Sequence, residues 1–433
     1  MNEKFHRGRR AELARRMGAG IAVIATAPER VRNRDSLYPY RFDSTFYYLT
    51  GFPEPEAVLV LVVDGKKTRS LLFCRERDPE RAVWDGFRHG PKAARRVFGF
   101  DEAHPIGHLD ALLPPLLCGA KTLFVPFDAG AHQEKRVARW MKAARGLRAA
   151  EPPAEIRDLA RLTDDMRTIK EAHELDCLSR AAEIAVAAHR RAMAATRPEK
   201  REYEIEAELL YEFRRRGAQA PAYPSIVAAG ANACVLHYVE NSARLQDGEL
   251  LLIDAGCEVE GYASDITRTF PVNGRFGGAA RDLYEVVLAA HAAALQKARP
   301  GARWDAMHEA AVKVLAQGLV ELKLCKGPLD RVIERGDYRR FYMHRTGHLL
   351  GLDVHDAGCL RENGKWRKLA PGMVFTVEPG CYVRPADKVP RAFWNIGIRI
   401  EDDVAVTANG HAVLTEGAPR TVAEIEEWMR ESR

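Results

Sequence analysis

Short apolar runs alternate with helical periodicities along the whole chain. Residues 57–63 are apolar and rich in valine, which predicts a buried strand, and residues 68–74 are its expected partner across a turn at Asp64-Gly65. Residues 121–125 form another apolar run that predicts a strand. The N-terminal part of the chain therefore predicts a mixed arrangement of strands and helices.

The first 27 residues allow two interpretations. Phe5, Leu13 and Met17 share a helical face within a strongly basic segment, which predicts an amphipathic helix with its arginines on the opposite face. The apolar residues 17–27 then predict a buried first strand. The same segment also resembles a signal peptide that ends in Ala-Thr-Ala, but its two glycines and the proline at position 28 favour the helix and strand.

Helical periodicity becomes dominant from about Asp165 onward. Glu151-Pro152-Pro153 interrupts the preceding pattern and indicates a boundary or linker, and Gly217 is expected to end one helix. The predicted helices cover residues 170–193, 202–216, 279–297 and 304–319. We expect two domains, residues 1–165 and 166–433.

Composition and charge narrow the functional class. The 433 residues are 46% hydrophobic and 29% charged, with a formal net charge of +6, which is typical of a globular protein and too weak a bias for a dedicated nucleic-acid binder. The longest apolar runs are too short to span a bilayer. The eight cysteines form no C-x-x-C pair, which favours reduced thiols in the cytoplasm.

One internal similarity points to a duplicated half. Residues 247–257 align with residues 371–381, and each copy contains a turn glycine, an apolar strand, one carboxylate and then Gly-Cys. A second strand with another acid follows each copy. The acids are Asp254 and Asp265 in the first copy and Glu378 and Glu401 in the second. We expect a site between the two halves.

The acids themselves indicate a cation. In a hairpin that turns at residues 259–261, Asp254 and Asp265 are expected to be cross-strand neighbours. Adjacent like charges repel unless a cation lies between them. One such pair could equally be two solvated acids, but the repetition at Glu378 and Glu401 favours a metal site.

Three histidines follow within twelve residues, at His344, His348 and His355. We expect one of these histidines to be a metal ligand and the other two to act as acid/base or oxyanion-stabilising groups, because all three cannot be ligands on one regular element. Four carboxylates and one imidazole suit Mn²⁺ or Co²⁺ better than Zn²⁺. They also suit two ions about 3.5–4 Å apart with a bridging hydroxide, which indicates metal-assisted hydrolysis.

Five segments of the chain resemble the signature segments of the aminopeptidase P (Xaa-Pro aminopeptidase) family, within the methionine aminopeptidase/prolidase/creatinase superfamily. They are residues 253–258, 261–271, 344–356, 376–380 and 397–402. Residues 38–57 and Trp84-Asp85-Gly86 resemble the N-terminal domain of the same family. Arg345, Thr346 and Leu349 depart from common residues of the family, which concerns the pocket wall rather than the metals.

The resemblance implies an α/β (α+β) protein with an N-terminal mixed α/β domain and a pita-bread catalytic domain of pseudo-two-fold symmetry. It implies hydrolysis of the N-terminal Xaa-Pro bond of peptides by a hydroxide that bridges two divalent metals. Mn²⁺ is expected, with Co²⁺ or Zn²⁺ as alternatives. We also expect a peptide substrate with proline at its second position, a cytoplasmic homodimer or homotetramer, and no nucleic-acid or membrane partner.

The resemblance also implies a role for each site residue. Asp254 binds one metal, Asp265 and Glu401 bridge both, and His348 and Glu378 bind the other. Glu378 also takes the proton of the nucleophile. The remaining implied residues are His355 and His237 at the substrate carbonyl, His344 on the prolyl side, and Arg399 and Tyr382 as supports of the ligands.

Three alternatives remain at this point. A prolidase, which cleaves only Xaa-Pro dipeptides, has the same ligands, and Arg345 is a candidate cation for its substrate carboxylate. A metal-free binding module of the same fold and a creatinase-type hydrolase are less favoured, because all five ligand positions are occupied by suitable residues.

Overall fold

The computed structural model describes residues 3–65, 67–127, 130–148 and 151–432. The chain divides into two compact units, one up to Met166 and one from Arg167 onward. Both contain helices and strands, in agreement with the predicted α/β class.

The first unit is built on a six-stranded mixed sheet. Its helices are α1 (Glu3–Met17), α2 (Ser44–Thr50), α3 (Pro79–Asp85), α4 (Gly90–Phe98), α5 (Leu109–Leu117), α6 (Gly130–Arg145) and α7 (Ala160–Thr168), the last of which ends just beyond the division. Its strands are β1 (Gly20–Ala25), β2 (Val31–Asn33), β3 (Ser36–Leu37), β4 (Val58–Asp64), β5 (Lys67–Cys74), β6 (Glu102–Pro105), β7 (Thr122–Val125) and β8 (Glu155–Asp158).

The sheet has the order β6-β5-β4-β1-β7-β8. The predicted strands at residues 57–63, 68–74 and 121–125 are confirmed as β4, β5 and β7. The predicted pairing of β4 with β5 is confirmed as antiparallel, and its last pair is Asp64 with Lys67. The apolar N-terminal stretch is strand β1, and it is buried between β4 and β7.

The predicted helix at the N-terminus is present as α1, but its arginines do not all lie on a solvent face. Leu13 and Met17 are buried as expected, yet Arg9 and Arg10 are also buried. Arg10 donates hydrogen bonds to the carbonyl oxygens of Leu49 (2.9 Å) and Gly99 (2.6 Å). Buried guanidinium groups are tolerated here because backbone carbonyls satisfy their donors.

The expected boundary at Glu151-Pro152-Pro153 is wrong. This segment lies inside the first unit, directly before strand β8, which pairs in parallel with β7. The prolines mark a loop within the unit, because they end one local pattern without ending the domain.

The second unit contains two groups of short antiparallel strands, with helices α8 (Ala172–Ala195), α9 (Glu202–Arg215), α10 (Gly278–Leu295), α11 (Asp305–Glu321), α12 (Leu329–Arg335) and α13 (Val422–Glu431). The strands are β9 (Ala220–Pro221), β10 (Ile226–Ala229), β11 (Leu250–Asp254), β12 (Cys257–Val259), β13 (Tyr262–Ala263), β14 (Thr267–Pro271), β15 (Arg361–Glu362), β16 (Lys365–Trp366), β17 (Val374–Val377), β18 (Gly380–Val383), β19 (Ile396–Arg399), β20 (Asp402–Val406) and β21 (His411–Val413). The four predicted helices correspond to α8, α9, α10 and α11.

The internal repeat corresponds to two similar hairpins. In the first, β11 pairs with β14 and β12 with β13. In the second, β17 pairs with β20 and β18 with β19. In each hairpin, both arms consist of two short strands that belong to different sheets. The candidate acids lie at or next to the points where one strand ends and the next begins.

The register of the first hairpin differs from the prediction. Asp254 pairs with Thr267 rather than Asp265. The two acids still lie on one face, because residues 265 and 267 differ by two positions and side chains alternate with that period. In the second hairpin Val377 pairs with Asp402, so the same register places Glu378 opposite Glu401. Thr267, not Asp265, is thus the register counterpart of Glu401.

No helix in the described part of the chain is both long and apolar enough to cross a membrane.

Candidate metal centre

The candidate ligands lie where the strands of the two hairpins end. Asp254 is the last residue of β11, and Glu378 directly follows β17. Glu401 lies between β19 and β20, and Asp265 lies between β13 and β14. Carboxylates at strand ends can point into a common space without interrupting the apolar core that the strands cover.

Two close backbone approaches support this arrangement. A Cβ atom at Gly256 would lie 1.7 Å from the carbonyl oxygen of Ser264, and one at Gly347 would lie 1.9 Å from that of Thr376. Only glycine fits at either position, because any side chain would force the two backbones apart. One approach is beside Asp265 and the other beside His348.

His348 is brought to the acids by pairing with strand β17. The amide of Thr376 donates to the carbonyl oxygen of His348 (2.9 Å), and the amide of His348 donates to Oγ1 of Thr376 (3.1 Å). Nδ1 of His348 lies 3.1 Å from the carbonyl oxygen of Leu349. This contact leaves Nε2 directed toward the acids, as is typical of a metal-binding imidazole.

The structure brings all five predicted ligands together. Ligand atoms of Asp265, His348 and Glu401 lie within 4.8 Å of one another. Nε2 of His348 lies 3.5 Å from Oδ2 of Asp265 and 3.6 Å from Oε1 of Glu378. Asp254 is linked to Asp265 because the hydroxyl of Tyr223 contacts both carboxylates.

Tyr223 is a residue that the sequence analysis missed. Its hydroxyl donates to Oδ1 of Asp254 (2.7 Å) and also contacts Asp265. It lies in the loop between β9 and β10, in an Ala-Tyr-Pro-Ser context that carries no recognisable signal. Only the folded chain places this phenol against two carboxylates that are more than 30 residues away in sequence.

Arg268 and Thr267 were missed as well, although both lie inside a quoted segment. Arg268 is fully buried and donates to the carbonyl oxygen of Glu401 (2.6 Å) and to Asp402 (2.7 Å). Thr267 donates to Oε2 of Glu401 (2.6 Å). Strand β14 therefore holds the Glu401 segment from the other half of the repeat.

Burial and the neighbouring charges change the pKa values of the acids. Burial and the neighbouring Asp254 raise the pKa of Asp265, and burial together with Asp265 raises that of Glu401 well above its usual range. Burial raises the pKa of Glu378 to about 7, against the opposing charges of His348 and Arg399. Burial lowers the pKa of His348, but its hydrogen bond with Asp265 outweighs this and raises it to about 9.

Arg399, Tyr382 and His344 form one hydrogen-bonded chain. Arg399 donates to Oδ2 of Asp254 (2.5 Å) and to the hydroxyl of Tyr382 (2.9 Å), and that hydroxyl contacts Nε2 of His344 (2.9 Å). Nδ1 of His344 lies 2.7 Å from the carbonyl oxygen of Arg345, which can only accept, so Nδ1 carries the proton. Burial and the charge of Arg399 lower the pKa of His344 to about 4, which keeps the ring neutral.

The other two histidines lie at the exposed side of the cluster. The rings of His355 and His348 meet edge to face with centroids 4.3 Å apart. Burial and the charge of His348 lower the pKa of His355. His237 is exposed, and its charge lowers the pKa of both His344 and His355, so its ring is within electrostatic range of both.

The departures from the family pattern are not all at a pocket wall. Thr346 is buried and contacts His308 (2.9 Å) and Tyr342 (2.7 Å), and Leu349 is part of the apolar core. Only Arg345 is exposed, with its guanidinium 5.5 Å from the ring centroid of Trp366.

The donor set fits divalent metal ions. Four carboxylates and one imidazole converge, and burial together with the charges of neighbouring carboxylates raises the pKa of Asp265, Glu378 and Glu401. A divalent ion would offset this repulsion and favour the ionised form of each acid.

Two family models match the chain. "Metallopeptidase family M24" matches residues 176–408, and "Aminopeptidase P, N-terminal domain" matches residues 6–124. Among the curated relatives, the chain is 42% identical to the Xaa-Pro aminopeptidase of Escherichia coli, covering 100% of this chain and 98% of the relative. It is 40% identical to the Xaa-Pro aminopeptidase of Haemophilus influenzae, covering 99% and 97%.

Solved structures agree with these matches. Pseudomonas aeruginosa aminopeptidase PepP superposes with a TM-score of 0.97 at 49% identity, over 100% of this chain and 99% of that chain. A variant of E. coli aminopeptidase P in complex with substrate has a TM-score of 0.97 at 41% identity, with the same coverage. The zinc-substituted E. coli protein in complex with product has the same TM-score and identity, again over 100% and 99% of the two chains.

Proposed function

Because the chain belongs to the Xaa-Pro aminopeptidases of metallopeptidase family M24, and is thus a metal-dependent aminopeptidase with the pita-bread fold, we propose that it releases the first residue from peptides of the form Xaa-Pro-Yaa. The observation that carries the proposal is the convergence of four acids and His348 in a chain that matches aminopeptidase P over its full length. The substrate and product complexes of the E. coli protein support a peptide substrate.

Asp254, Asp265, His348, Glu378 and Glu401 are the residues that would hold two divalent ions. Mn²⁺ suits this oxygen-rich set better than Zn²⁺, although the zinc-substituted E. coli structure indicates that such a site also accepts zinc. When bound, the ions supply Lewis acidity for the scissile carbonyl and lower the pKa of the attacking water.

The residues around the ions would transfer the proton of the attacking water and donate hydrogen bonds to the substrate. Glu378 takes the proton of the attacking water, and its two oxygens lie 3.6 Å from His348 and 3.5 Å from His344. His355 stands beside His348 at the exposed side, where it donates a hydrogen bond to the oxygen of the scissile carbonyl as charge develops there. His237 assists from the same side.

The hydrogen bonds from Arg399 through Tyr382 to His344 fix the side chains on the prolyl side of the site. Both nitrogens of His344 are engaged, so this residue lines the prolyl side in a fixed orientation rather than exchanging protons. Arg399 has the additional task of holding Asp254.

The chemistry matches the proposed substrate. An Xaa-Pro bond is a tertiary amide without an N–H group, so an enzyme that holds the scissile backbone as a strand loses one hydrogen bond. A site that acts through metal ligation and side-chain donors does not need that N–H group. The free amine of the substrate lies close to the acids, which limits cleavage to a single residue.

A kinetic comparison separates this proposal from a prolidase. We expect kcat/KM to be higher for Ala-Pro-Ala than for Ala-Pro at the same Mn²⁺ concentration, and Ala-Ala-Ala to be cleaved poorly. A tenfold preference for the dipeptide, about 1.4 kcal/mol in transition-state binding, would assign the chain to dipeptide cleavage instead. Arg345→Gly is the matched variant, because loss of such a preference would identify Arg345 as the cation that meets the prolyl carboxylate.

The oligomeric state and the cellular location belong to the same proposal. A homodimer or homotetramer in the cytoplasm remains the prediction, and sedimentation of the purified protein would test the oligomer. The domain assignment, with residues 1–165 as the family's N-terminal domain and 166–433 as the catalytic domain, likewise stays a prediction.

A further inference from the structure

A second group of potential metal ligands lies outside the candidate centre. It consists of His173, Cys177 and Glu260, which we call the His-Cys-Glu cluster; its ligand atoms all lie within 4.8 Å of one another. His173 and Cys177 are four residues apart on helix α8, so both side chains share one helical face. Glu260 occupies the turn between β12 and β13, where its φ of 52° is left-handed.

The distances within the cluster suit a tetrahedral ion. Nε2 of His173 lies 3.8 Å from Sγ of Cys177 and 3.6 Å from Oε2 of Glu260. Zinc bond lengths of about 2.0–2.3 Å at tetrahedral angles require donor separations of about 3.4–3.6 Å. The two separations that involve His173 therefore need to change by only a few tenths of an ångström, and the Cys177–Glu260 separation is within 4.8 Å.

The surroundings allow an ion to enter and be held. The side chains of His173 and Glu260 are 30% and 39% exposed, whereas Cys177 is buried beneath them. Arg180 donates to Oε1 of Glu260 (3.1 Å), which leaves Oε2 directed at His173. Arg180 thus fixes the carboxylate from outside, as residues that support metal ligands commonly do.

We propose that the His-Cys-Glu cluster is a separate site for a thiophilic divalent ion such as Zn²⁺. Thiolate and imidazole donors favour Zn²⁺ over Mn²⁺, so this cluster and the acid-rich centre select different metals. Binding forms the Cys177 sulfur–metal bond and releases the thiol proton to solvent, with no change in oxidation state. Burial and the charge of Glu260 raise the pKa of the Cys177 thiol to about 12, so a bound ion has to displace a firmly held proton.

The site would connect two elements that the candidate centre depends on. Glu260 is at the tip of the hairpin whose two arms carry Asp254 and Asp265, and helix α8 packs against that hairpin through Cys257, whose thiol contacts the carbonyl oxygen of Ala181. An ion at the cluster would fasten the hairpin tip to the helix.

The test uses the Mn²⁺-loaded enzyme and Cd²⁺ as a probe with an optical signature. Cadmium bound to a thiolate absorbs in the ultraviolet by charge transfer, and the candidate centre contains no cysteine. We expect an absorption that saturates at one equivalent of Cd²⁺ and is reversed by competing Zn²⁺. Cys177→Ser should abolish it, and His173→Ala should weaken Cd²⁺ binding tenfold or more.

Cys359→Ser is the matched control, because Cys359 is an exposed thiol outside the cluster and its loss should leave the absorption intact. A second measurement does not depend on folding of the Cys177 variant: Zn²⁺ should protect Cys177 of the unmodified chain from alkylation, as followed by peptide mass spectrometry. No absorption, an absorption that survives Cys177→Ser, or alkylation of Cys177 that Zn²⁺ does not slow would overturn the proposal. None of these outcomes depends on peptide cleavage.

Discussion

Tyr223 and Arg399 hold the carboxylate of Asp254 from two directions. Tyr223 donates to Oδ1 and Arg399 to Oδ2, so each oxygen has a fixed partner. Tyr223 also contacts Asp265, which makes this phenol the direct link between two of the candidate ligands. At the residue scale, the arrangement of the acids therefore depends on side chains that are not themselves ligands.

Tyr223→Phe should weaken Mn²⁺ binding by about 10- to 100-fold, the usual cost of losing a partner of a metal ligand. The reason is that the substitution removes the hydroxyl while keeping the ring that fills the space. Mn²⁺ titration of the activity would measure the effect, and near-normal kcat should return at saturating Mn²⁺. Tyr211→Phe, at an exposed tyrosine, should change nothing. Parental Mn²⁺ affinity in Tyr223→Phe would contradict this role.

Substitutions of His348 and His355 should show that the first is a metal ligand and the second a hydrogen-bond donor to the substrate. His348→Ala should lose both metal and activity, because Nε2 faces Asp265 and Glu378. His355→Ala should retain both ions and lose about 10²-fold or more in kcat, the scale expected for a lost transition-state hydrogen bond. Metal analysis after gentle dialysis, together with kcat, would distinguish the two. A metal-free His355→Ala protein would show that our division of the histidines is wrong.

At the scale of elements, the loop that carries His355 is fixed by a buried ion network. The carboxylate of Asp356 is 1% exposed and pairs with Lys170 (2.9 Å) and Arg167 (2.5 Å). Its amide donates to the carbonyl oxygen of Leu349 (2.8 Å), which closes the loop. The position of His355 is thus set by residues that precede helix α8, almost 190 positions earlier in the chain.

Asp356→Ala should destabilise the protein by about 3–5 kcal/mol, because it removes the carboxylate that pairs with the buried Lys170 and one of the two that pair with the buried Arg167. We also expect a lower kcat with metal content retained, since the loop beside His355 loses its anchor. Denaturant unfolding and kcat would measure the two effects. Asp353→Ala is the matched control: it also pairs with Arg167 (2.6 Å), but its carboxylate is 45% exposed, so a loss of no more than about 1 kcal/mol is expected. Equal losses in both variants would argue against the buried network.

At the scale of the whole molecule, the acid cluster couples metal binding to stability. Four carboxylates placed together by two hairpins repel one another, and an ion that binds only the folded chain stabilises it by mass action. Without a cation, the repulsion among the acids lowers the stability of the folded chain. The apolar cores of the two units provide the stability that offsets it.

Removal of metal with a chelator should abolish activity and lower the thermal unfolding temperature, and Mn²⁺ or Co²⁺ should restore both. Calorimetry and peptide assays on the same samples would measure this, and reconstituted protein should approach two Mn²⁺ per chain. A fully active metal-stripped sample would remove the basis of the proposed mechanism.

The sequence alone was enough to predict the local elements and the ligand types. The apolar run at residues 57–63 became β4 and residues 68–74 became part of its antiparallel partner β5, because a short turn joins two segments that are both apolar enough to be buried. The acids at 254, 265, 378 and 401 were found because carboxylates next to apolar strands are costly without a partner. The resemblance to aminopeptidase P came from the same segments.

Only the tertiary structure decided how these segments meet. The pairing of Asp254 with Thr267, the phenol of Tyr223, the Arg268 contacts to the Glu401 segment and the Asp356 network all join residues across turns or long separations. The burial of Arg9 and Arg10 has the same origin, since carbonyl groups from distant segments accept their donors. Local periodicity records which face of an element is apolar, but it contains no information about which distant polar group will satisfy a buried side chain.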